Sequence, residues 1–318
     1  MKRFPNLGFG GLSSLLLLLA ARGAHGELVN YYVAIDGGTG EPSWSAFRDQ
    51  DGDGTPEIEL ANPNLGRLTF LYAHHIEEDP STTHFHTLGR YSYTGELASP
   101  TVTDQNEFSF WSGDVVIQGL PGNLIPEQFA EFGETLPPLP LLPSDGMFDG
   151  KLTSIPGGVE GGTYANMEIR PTADLVPYPE GTPEHYMLRA LEPFGEDYDD
   201  PLTGAVVAIE LLALTPGLQI GSLTETNILS DAGDTAVMGS GDENFSFTPV
   251  FWTESDAPIG VYSATMRLVD LRTSGEAFLP SGQYTFSFAV VPEPSTVVLT
   301  VIAVVGLAGT ARRTRRPV

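Results

Sequence analysis

The fold class is decided by the stretch Arg67-Leu-Thr-Phe-Leu-Tyr-Ala-His-His75. Its apolar residues Leu68, Phe70 and Tyr72 occupy every second position, the period expected of a β-strand. His84–Tyr93 continues in a similar way after an eight-residue interval, 76–83. The two stretches therefore predict a β-hairpin with a long loop.

Strand patterns also dominate the rest of the chain. The later candidates are Glu107–Trp111, Gly162–Ile169, Ala205–Ala213, Ser246–Trp252, Val261–Leu271 and Gln283–Val290. Dense turn punctuation separates them, with 36 Gly and 26 Pro, and only Pro126–Phe132 suggests a short helix. We predict an all-β chain built as an antiparallel β-sandwich with long loops. Its last three strands, within 246–290, are expected to form one unit.

A proline-rich connection interrupts the strand patterns at 119–144 and ends in Leu-Pro-Pro-Leu-Pro-Leu-Leu-Pro. Such a sequence favours an extended, stiff backbone. It could divide two small lobes or cross the edge of one large sandwich, and the sequence leaves both open.

The N-terminal residues 1–26 have the features of a secretory signal peptide. Lys2 and Arg3 precede a short apolar stretch that is densest at 12–21, and small residues Ala24 and Gly26 stand at the minus-three and minus-one positions. We therefore expect export, with the mature chain beginning at Glu27.

The C-terminal residues 292–318 combine a short motif, an apolar run and a basic end. Pro292, Glu293 and Pro294 are followed by an apolar segment at 297–311 and then by four arginines. The segment predicts a transmembrane helix whose basic end stays in the cytoplasm. This order resembles the PEP-CTERM sorting signal.

The resemblance implies a Gram-negative bacterium and the export machinery as a partner. It also implies that an exosortase-type enzyme cuts near the motif, so that membrane anchoring through the C-terminal segment is transient. The exported domain would then span 27–291 and lie in the cell envelope or outside the cell.

Composition restricts the possible functions of this domain. It holds forty of the 41 acidic residues but only eight of the 15 basic ones, a formal charge near −32. Such a surface repels nucleic acid and attracts divalent cations. The absence of cysteine from the sequence excludes disulfides, thiol catalysis and cysteine-bound metal.

Four of the six histidines fall within thirteen residues: His74, His75, His84 and His86. His84 and His86 share one face of an extended strand, and the hairpin would bring His74 or His75 beside them. With Glu77, Glu78 or Asp79 they could complete the tetrahedral shell that zinc prefers. Copper, nickel, or a hydrogen-bonded histidine cluster without metal remain alternatives.

A second candidate metal site lies at 49–59, where Asp49, Asp51 and Asp53 alternate and Gly54 follows. These residues resemble the first half of an EF-hand-type calcium loop, and Glu57 is a further possible calcium ligand. The twelfth position is Leu60 where a bidentate glutamate is expected, so an acidic surface turn is the alternative.

Signatures of an enzyme are weak. The sequence has no nucleophile elbow and no phosphate-binding glycine loop. An acidic cluster around His185 is expected to be a polar loop, and carboxylate pairs are uninformative in so acidic a chain. We expect a protein that is not an enzyme.

Several ordered motifs resemble one family. They are 62–74 (Asn-Pro-Asn-Leu-Gly-Arg through His74), 84–86, 91–95, 215–230 and 247–252. They are similar to PEP-CTERM surface proteins repressed by the zinc-uptake regulator. The resemblance implies expression under zinc starvation and zinc handling at the surface, with His74, His84 and His86 as ligands and His75 less directly.

The sequence therefore predicts an exported, envelope-associated protein that binds zinc through a histidine hairpin. Two alternatives remain: a structural or adhesive matrix protein in which the histidines are incidental, and a surface hydrolase using a metal-bound water.

Overall fold

A computed structural model describes residues 30–37, 62–74, 81, 83–95, 101–109, 116–117, 138–154, 167–189 and 198–291. The predicted signal peptide 1–26, the candidate helix Pro126–Phe132 and the tail 292–318 lie outside these residues. No helix among the described residues has the length and apolarity needed to span a bilayer.

The described residues confirm the predicted all-β class. The strands are β1 (Asn30–Ile35), β2 (Leu68–His74), β3 (His84–Gly95), β4 (Thr101–Ser109), β5 (Val116–Ile117), β6 (Leu139–Pro140), β7 (Leu142–Pro143), β8 (Lys151–Thr153), β9 (Glu168–Pro171), β10 (Val206–Leu214), β11 (Gln219–Ser222), β12 (Thr235–Ser240), β13 (Pro249–Glu254), β14 (Gly260–Asp270) and β15 (Tyr284–Val290). The helical elements with bounds within the described residues are α1 (Pro183–Arg189) and two 3₁₀ turns, Gly146–Phe148 and Thr172–Asp174.

The strands of the described residues form three sheets. Sheet I has the order β4-β3-β2-β1-β9, with β5 also paired to β3. Sheet II has the order β12-β10-β14-β15-β6, and sheet III the order β11-β13-β8-β7. Most described pairs are antiparallel, but β1·β9, β3·β5 and β15·β6 are parallel.

One hydrophobic core joins the three sheets. Tyr31 of sheet I lies 5.4 Å from Phe70 and 5.9 Å from Phe286 of sheet II, measured between ring centroids. Phe251 of sheet III stacks on Phe288 of sheet II at 4.4 Å. The alternation that predicted the strands therefore selects the residues of this core.

The opposite face of sheet I is also covered. Tyr32, Leu71 and Phe85 pack there against a second cluster that includes Met187 of α1 and Tyr198. Sheet I is thus buried on both faces, which explains why β1 and β2 carry apolar residues at successive positions.

Two groupings predicted from the sequence are wrong. The strands within 246–290 do not form one unit, because β13 pairs with β11 and β8 in sheet III while β14 and β15 belong to sheet II. The segment around His185 is not a polar loop throughout. It contains α1, which begins with Pro183 after Thr182, whose hydroxyl accepts a hydrogen bond from the His185 N–H at 3.3 Å.

The proline-rich connection contributes strands to two sheets. β6 pairs with β15 in sheet II, and β7 pairs with β8 in sheet III. Between them, the Leu141 N–H donates to the Ala289 carbonyl at 2.9 Å. β6 and β7 are the edge strands of their sheets. Proline is tolerated in an edge strand, because an N–H group on the outer side has no partner strand to bond to.

Two glycines lie in a tight contact between β3 of sheet I and the segment just before β15 of sheet II. Gly89 has φ +62° and lies at a register shift between Leu88 and Arg90. A Cβ atom built there would overlap the backbone carbonyl of Gln283, and one built on Gly282 would overlap the backbone of Arg90. We call this contact the glycine junction; glycine is required on both sides of it.

A buried carboxylate organises the end of β14. Asp270 accepts hydrogen bonds from the backbone N–H groups of Val206 (3.0 Å), Arg272 (3.0 Å) and Phe278 (3.1 Å). The Arg272 guanidinium also pairs with it and lies 4.3 Å from the centroid of the Phe278 ring. The Asp270 side chain is 0% exposed, so this ion pair lies inside the protein.

Candidate histidine site

β3 places His84 and His86 on one face of sheet I. Phe85 between them belongs to the second cluster on the opposite face, whereas Leu88, two residues beyond His86, belongs to the main core. The histidine pair therefore lies on the face of the main core, at the end of β3 nearest the hairpin loop. His86 is 2% exposed and His84 is partly exposed.

The two imidazoles are in direct contact. Their Nε2 atoms are 3.2 Å apart, and their ring centroids are separated by 4.8 Å. Without a metal, this distance fits a hydrogen bond in which one Nε2–H donates to the other Nε2. Two nitrogens bound to one tetrahedral zinc at about 2.0–2.1 Å are separated by roughly 3.3–3.4 Å, so the observed spacing fits a shared zinc as well.

The neighbouring strand brings a third histidine to the same position along the hairpin. In the β2·β3 ladder, His74 is the register partner of His84, and Tyr72 is the partner of His86. Opposite positions in an antiparallel ladder belong to one face of the sheet, with Cβ atoms about 4.5–5.5 Å apart. The predicted pairing of the hairpin is confirmed.

The remaining predicted zinc ligands lie outside the described residues: His75, Glu77, Glu78 and Asp79. Within the described part of the chain, His, Asp and Glu side chains do not gather in groups of three or more that could hold a metal. His84 and His86 are thus the two predicted ligands whose side-chain contact is visible.

Sequence reasoning missed the tyrosines behind the histidine pair. The Tyr72 ring lies 6.0 Å from His86 and 5.6 Å from Tyr31. Burial, with a smaller effect of neighbouring tyrosines, raises the pKa of Tyr31 well above its ordinary value and the pKa of Tyr284 to about 12. Tyr31 and Tyr284 therefore remain neutral at physiological pH. The signal that could have found Tyr72 is its position two residues before His74.

The other candidate residues are not brought to this site. Asp49, Asp51, Asp53 and Glu57 of the candidate calcium loop lie outside the described residues, as do Pro292, Glu293 and Pro294 of the sorting motif. Calcium binding and sorting stay predictions. His185 lies on α1, where its ring contacts Tyr186 at 5.9 Å.

Fold and site together define an all-β protein with a histidine pair at the end of its main core. Comparison with known proteins adds no further assignment: no protein-family model, curated protein or solved structure matches the chain.

Proposed function

We propose that this chain is an exported, envelope-associated β-sandwich protein that binds zinc through the β2–β3 hairpin and takes part in zinc acquisition or handling under zinc limitation. The proposal rests chiefly on the 3.2 Å separation of the His84 and His86 Nε2 atoms. This separation is close to the distance between two nitrogen ligands of one tetrahedral zinc ion. His74, as register partner of His84, supplies the third position, and the loop 75–83 supplies candidates for the fourth.

The position of the pair supports a selective site. His86 is almost fully buried while His84 is partly exposed, so a metal could approach from the side of His84 and be desolvated on the side of His86. Imidazole is a borderline ligand that suits zinc, copper and nickel. The tetrahedral spacing favours zinc, because a square-planar ion with bonds of about 2.0 Å would hold adjacent nitrogens only about 2.8 Å apart.

Zinc titration tests the proposal. The chain is expected to bind zinc, and the double variant His84→Ala/His86→Ala is expected to bind at least about 100-fold more weakly. Apparent zinc-binding free energies of about 10–16 kcal/mol are shared among four ligands, so that each ligand contributes several kcal/mol. Isothermal titration calorimetry with competing chelators measures the difference.

His185→Ala is the matched control, because it removes a histidine from α1 and leaves the hairpin unchanged. It is expected to bind zinc like the wild type. Equal zinc affinity in the double variant and the wild type would contradict the assigned site. If neither protein bound zinc, the function would return to the structural or adhesive role.

The proposed export and sorting have their own test. When the gene is expressed in a host with an exosortase, intact-mass measurement of the surface protein is expected to show loss of residues 1–26 and of the chain beyond the Pro292–Pro294 region. The resemblance of 292–318 to the PEP-CTERM signal motivates this expectation. A Pro292→Ala/Pro294→Ala variant should retain its C-terminal segment, and a mature wild-type protein that still carries residues 297–318 would refute the sorting proposal.

A further inference from the structure

An apolar patch marks the place where the described chain ends. Ile259, Val261 and Val291 are 67%, 61% and 51% exposed. In the β14·β15 ladder Gly260 is the register partner of Val290, and Val261 that of Ala289. Continuing this register by one residue sets Ile259 opposite Val291, so the three side chains belong to one face. We call them the exit patch.

The patch differs from the positions that follow it on the same face of β14 and β15. Farther along, the outward positions carry hydroxyl groups: Ser263 pairs with Ser287, and Thr265 pairs with Thr285, whose Oγ1 atom lies 2.7 Å from that of Thr265. Hydroxyl groups suit contact with water, whereas three exposed aliphatic side chains do not. On β14 and β15 the outer face is therefore polar in the middle of the strands and apolar where the chain leaves the sheet.

The backbone that carries the patch is held in place. The Tyr262 hydroxyl donates a hydrogen bond to the Pro258 carbonyl at 2.8 Å, and the Ala257 N–H donates to the Glu254 carbonyl at 3.1 Å. Tyr262 itself is 7% exposed and belongs to the main core. These bonds hold the turn before β14 in place, so the backbone position of Ile259 is fixed and its side chain stays exposed.

The charges beside the patch indicate what kind of surface it could meet. Asp256 is exposed, and Glu254 is paired with Lys151. The sequence from 190 to 266 contains thirteen carboxylates and no Lys or Arg. An anionic surface would be repelled, so the partner must be apolar and carry no net negative charge.

The length of chain beyond the patch identifies such a partner. Pro292–Thr296 contributes five residues, which reach at most about 18 Å when fully extended, and the apolar segment 297–311 follows directly. If that segment is inserted in a membrane, Val291 lies within the same distance of the bilayer surface. We propose that the exit patch rests on the interfacial region of an electrically neutral bilayer and orients the domain before the tail is removed. This inference rests on the membrane attachment included in the proposed function.

Site-specific fluorescence tests the proposed contact between the exit patch and the bilayer. Because the sequence has no cysteine, a single introduced thiol can be labelled alone. The full chain with Val261→Cys, labelled with an environment-sensitive dye and reconstituted in phosphatidylcholine vesicles, is expected to emit at shorter wavelength than in detergent-free buffer. Nitroxide-labelled lipid is expected to quench it. Val237→Cys is the matched control, since Val237 is also aliphatic and 56% exposed but lies on β12. Its emission should not change.

The outcomes separate the two levels of the proposal. If the chain resists alkaline extraction from the vesicles but the dye at 261 stays as hydrated as the dye at 237, the exit patch is overturned and the membrane attachment stands. If alkaline extraction releases the chain, both are overturned. A blue shift at 261 that depends on protein concentration and is not quenched by lipid would show contact with another protein molecule and overturn the inference.

Discussion

Replacing Gly89 by alanine is expected to destabilise the fold by roughly 3 kcal/mol or more, the largest effect we expect from a single methyl group. The added Cβ overlaps the Gln283 carbonyl, and overpacking typically costs about 1–3 kcal/mol. The φ of +62° adds about 1–2 kcal/mol for any residue with a Cβ. Because the obstacle is backbone, no side chain can rotate away. Chemical denaturation monitored by circular dichroism measures the loss.

Gly66→Ala is the matched control for backbone conformation. Gly66 has φ +72°, but nothing lies within 4 Å of its added Cβ. Its substitution should therefore cost only the conformational part, about 1–2 kcal/mol. Gly282→Ala should resemble Gly89→Ala, because its Cβ meets the Arg90 backbone. A cost for Gly89→Ala no greater than that for Gly66→Ala would refute the glycine junction.

The second large effect is expected for Asp270→Asn, which should cost about 3–5 kcal/mol, the usual penalty for breaking a buried ion pair. The carboxylate of Asp270 accepts hydrogen bonds from three backbone N–H groups. In asparagine one of the two oxygens becomes an NH₂ group, which is a donor and would face these N–H donors. It also leaves the Arg272 guanidinium, 11% exposed, without its counter-charge. Thermal and urea unfolding of the variant and the wild type provide the comparison.

The same carboxylate predicts a pH dependence of stability. Burial alone would raise the pKa of Asp270, but hydrogen bonds from the backbone N–H groups of Phe278, Arg272 and Val206 and from the Arg272 side chain lower it below its ordinary value. A carboxyl whose pKa is lower in the folded than in the unfolded state stabilises the fold above the unfolded value, about 3.9. This contribution is lost as the pH falls through the lower, folded-state pKa. The loss should be smaller in Asp270→Asn.

Glu254→Gln serves as the control for Asp270→Asn. Its partner Lys151 and Glu254 itself are 30% and 58% exposed, and exposed pairs contribute only about 0–1 kcal/mol. A similar loss of stability in both variants would mean that the Asp270 pair is no stronger than a surface pair.

The fold class could be predicted because period-two alternation reports directly on which residues face a core. It worked best for β2, β3, β10, β14 and β15, whose predicted bounds differ from the observed ones by a few residues. β1 was missed because both faces of sheet I are buried, so Asn30–Ile35 shows no alternation. β6 and β7 were missed since proline carries no strand signal, and the assignment of strands to sheets depends on contacts between distant residues.

The candidate site was predictable only where local geometry determines it. The spacing of His84 and His86 places both on one face, and the hairpin predicts a neighbour from β2; the structure has both. The 3.2 Å contact and the tyrosines behind it could not be predicted, because they depend on side-chain rotamers and on the packing of β1 and β15. The helix α1 (Pro183–Arg189) was missed, although Thr182-Pro183 is a helix-start signal.

The long-range pairings of this fold also bear on when it can form. The Thr172 hydroxyl bonds to the Val33 carbonyl 139 positions away, and the Arg67 guanidinium bonds to the Pro280 carbonyl 213 positions away. A topology dominated by such distant partners folds slowly, because large loops must close before any contact offsets their entropy. During synthesis, β1, β2 and β3 can pair early, but the β1·β9 pair must wait for β9, and the Arg67 contact must wait for Pro280. A chain whose sheets are completed only late stays unfolded for longer, and an unfolded chain is what a translocation pore accepts, so slow folding would suit the export proposed above.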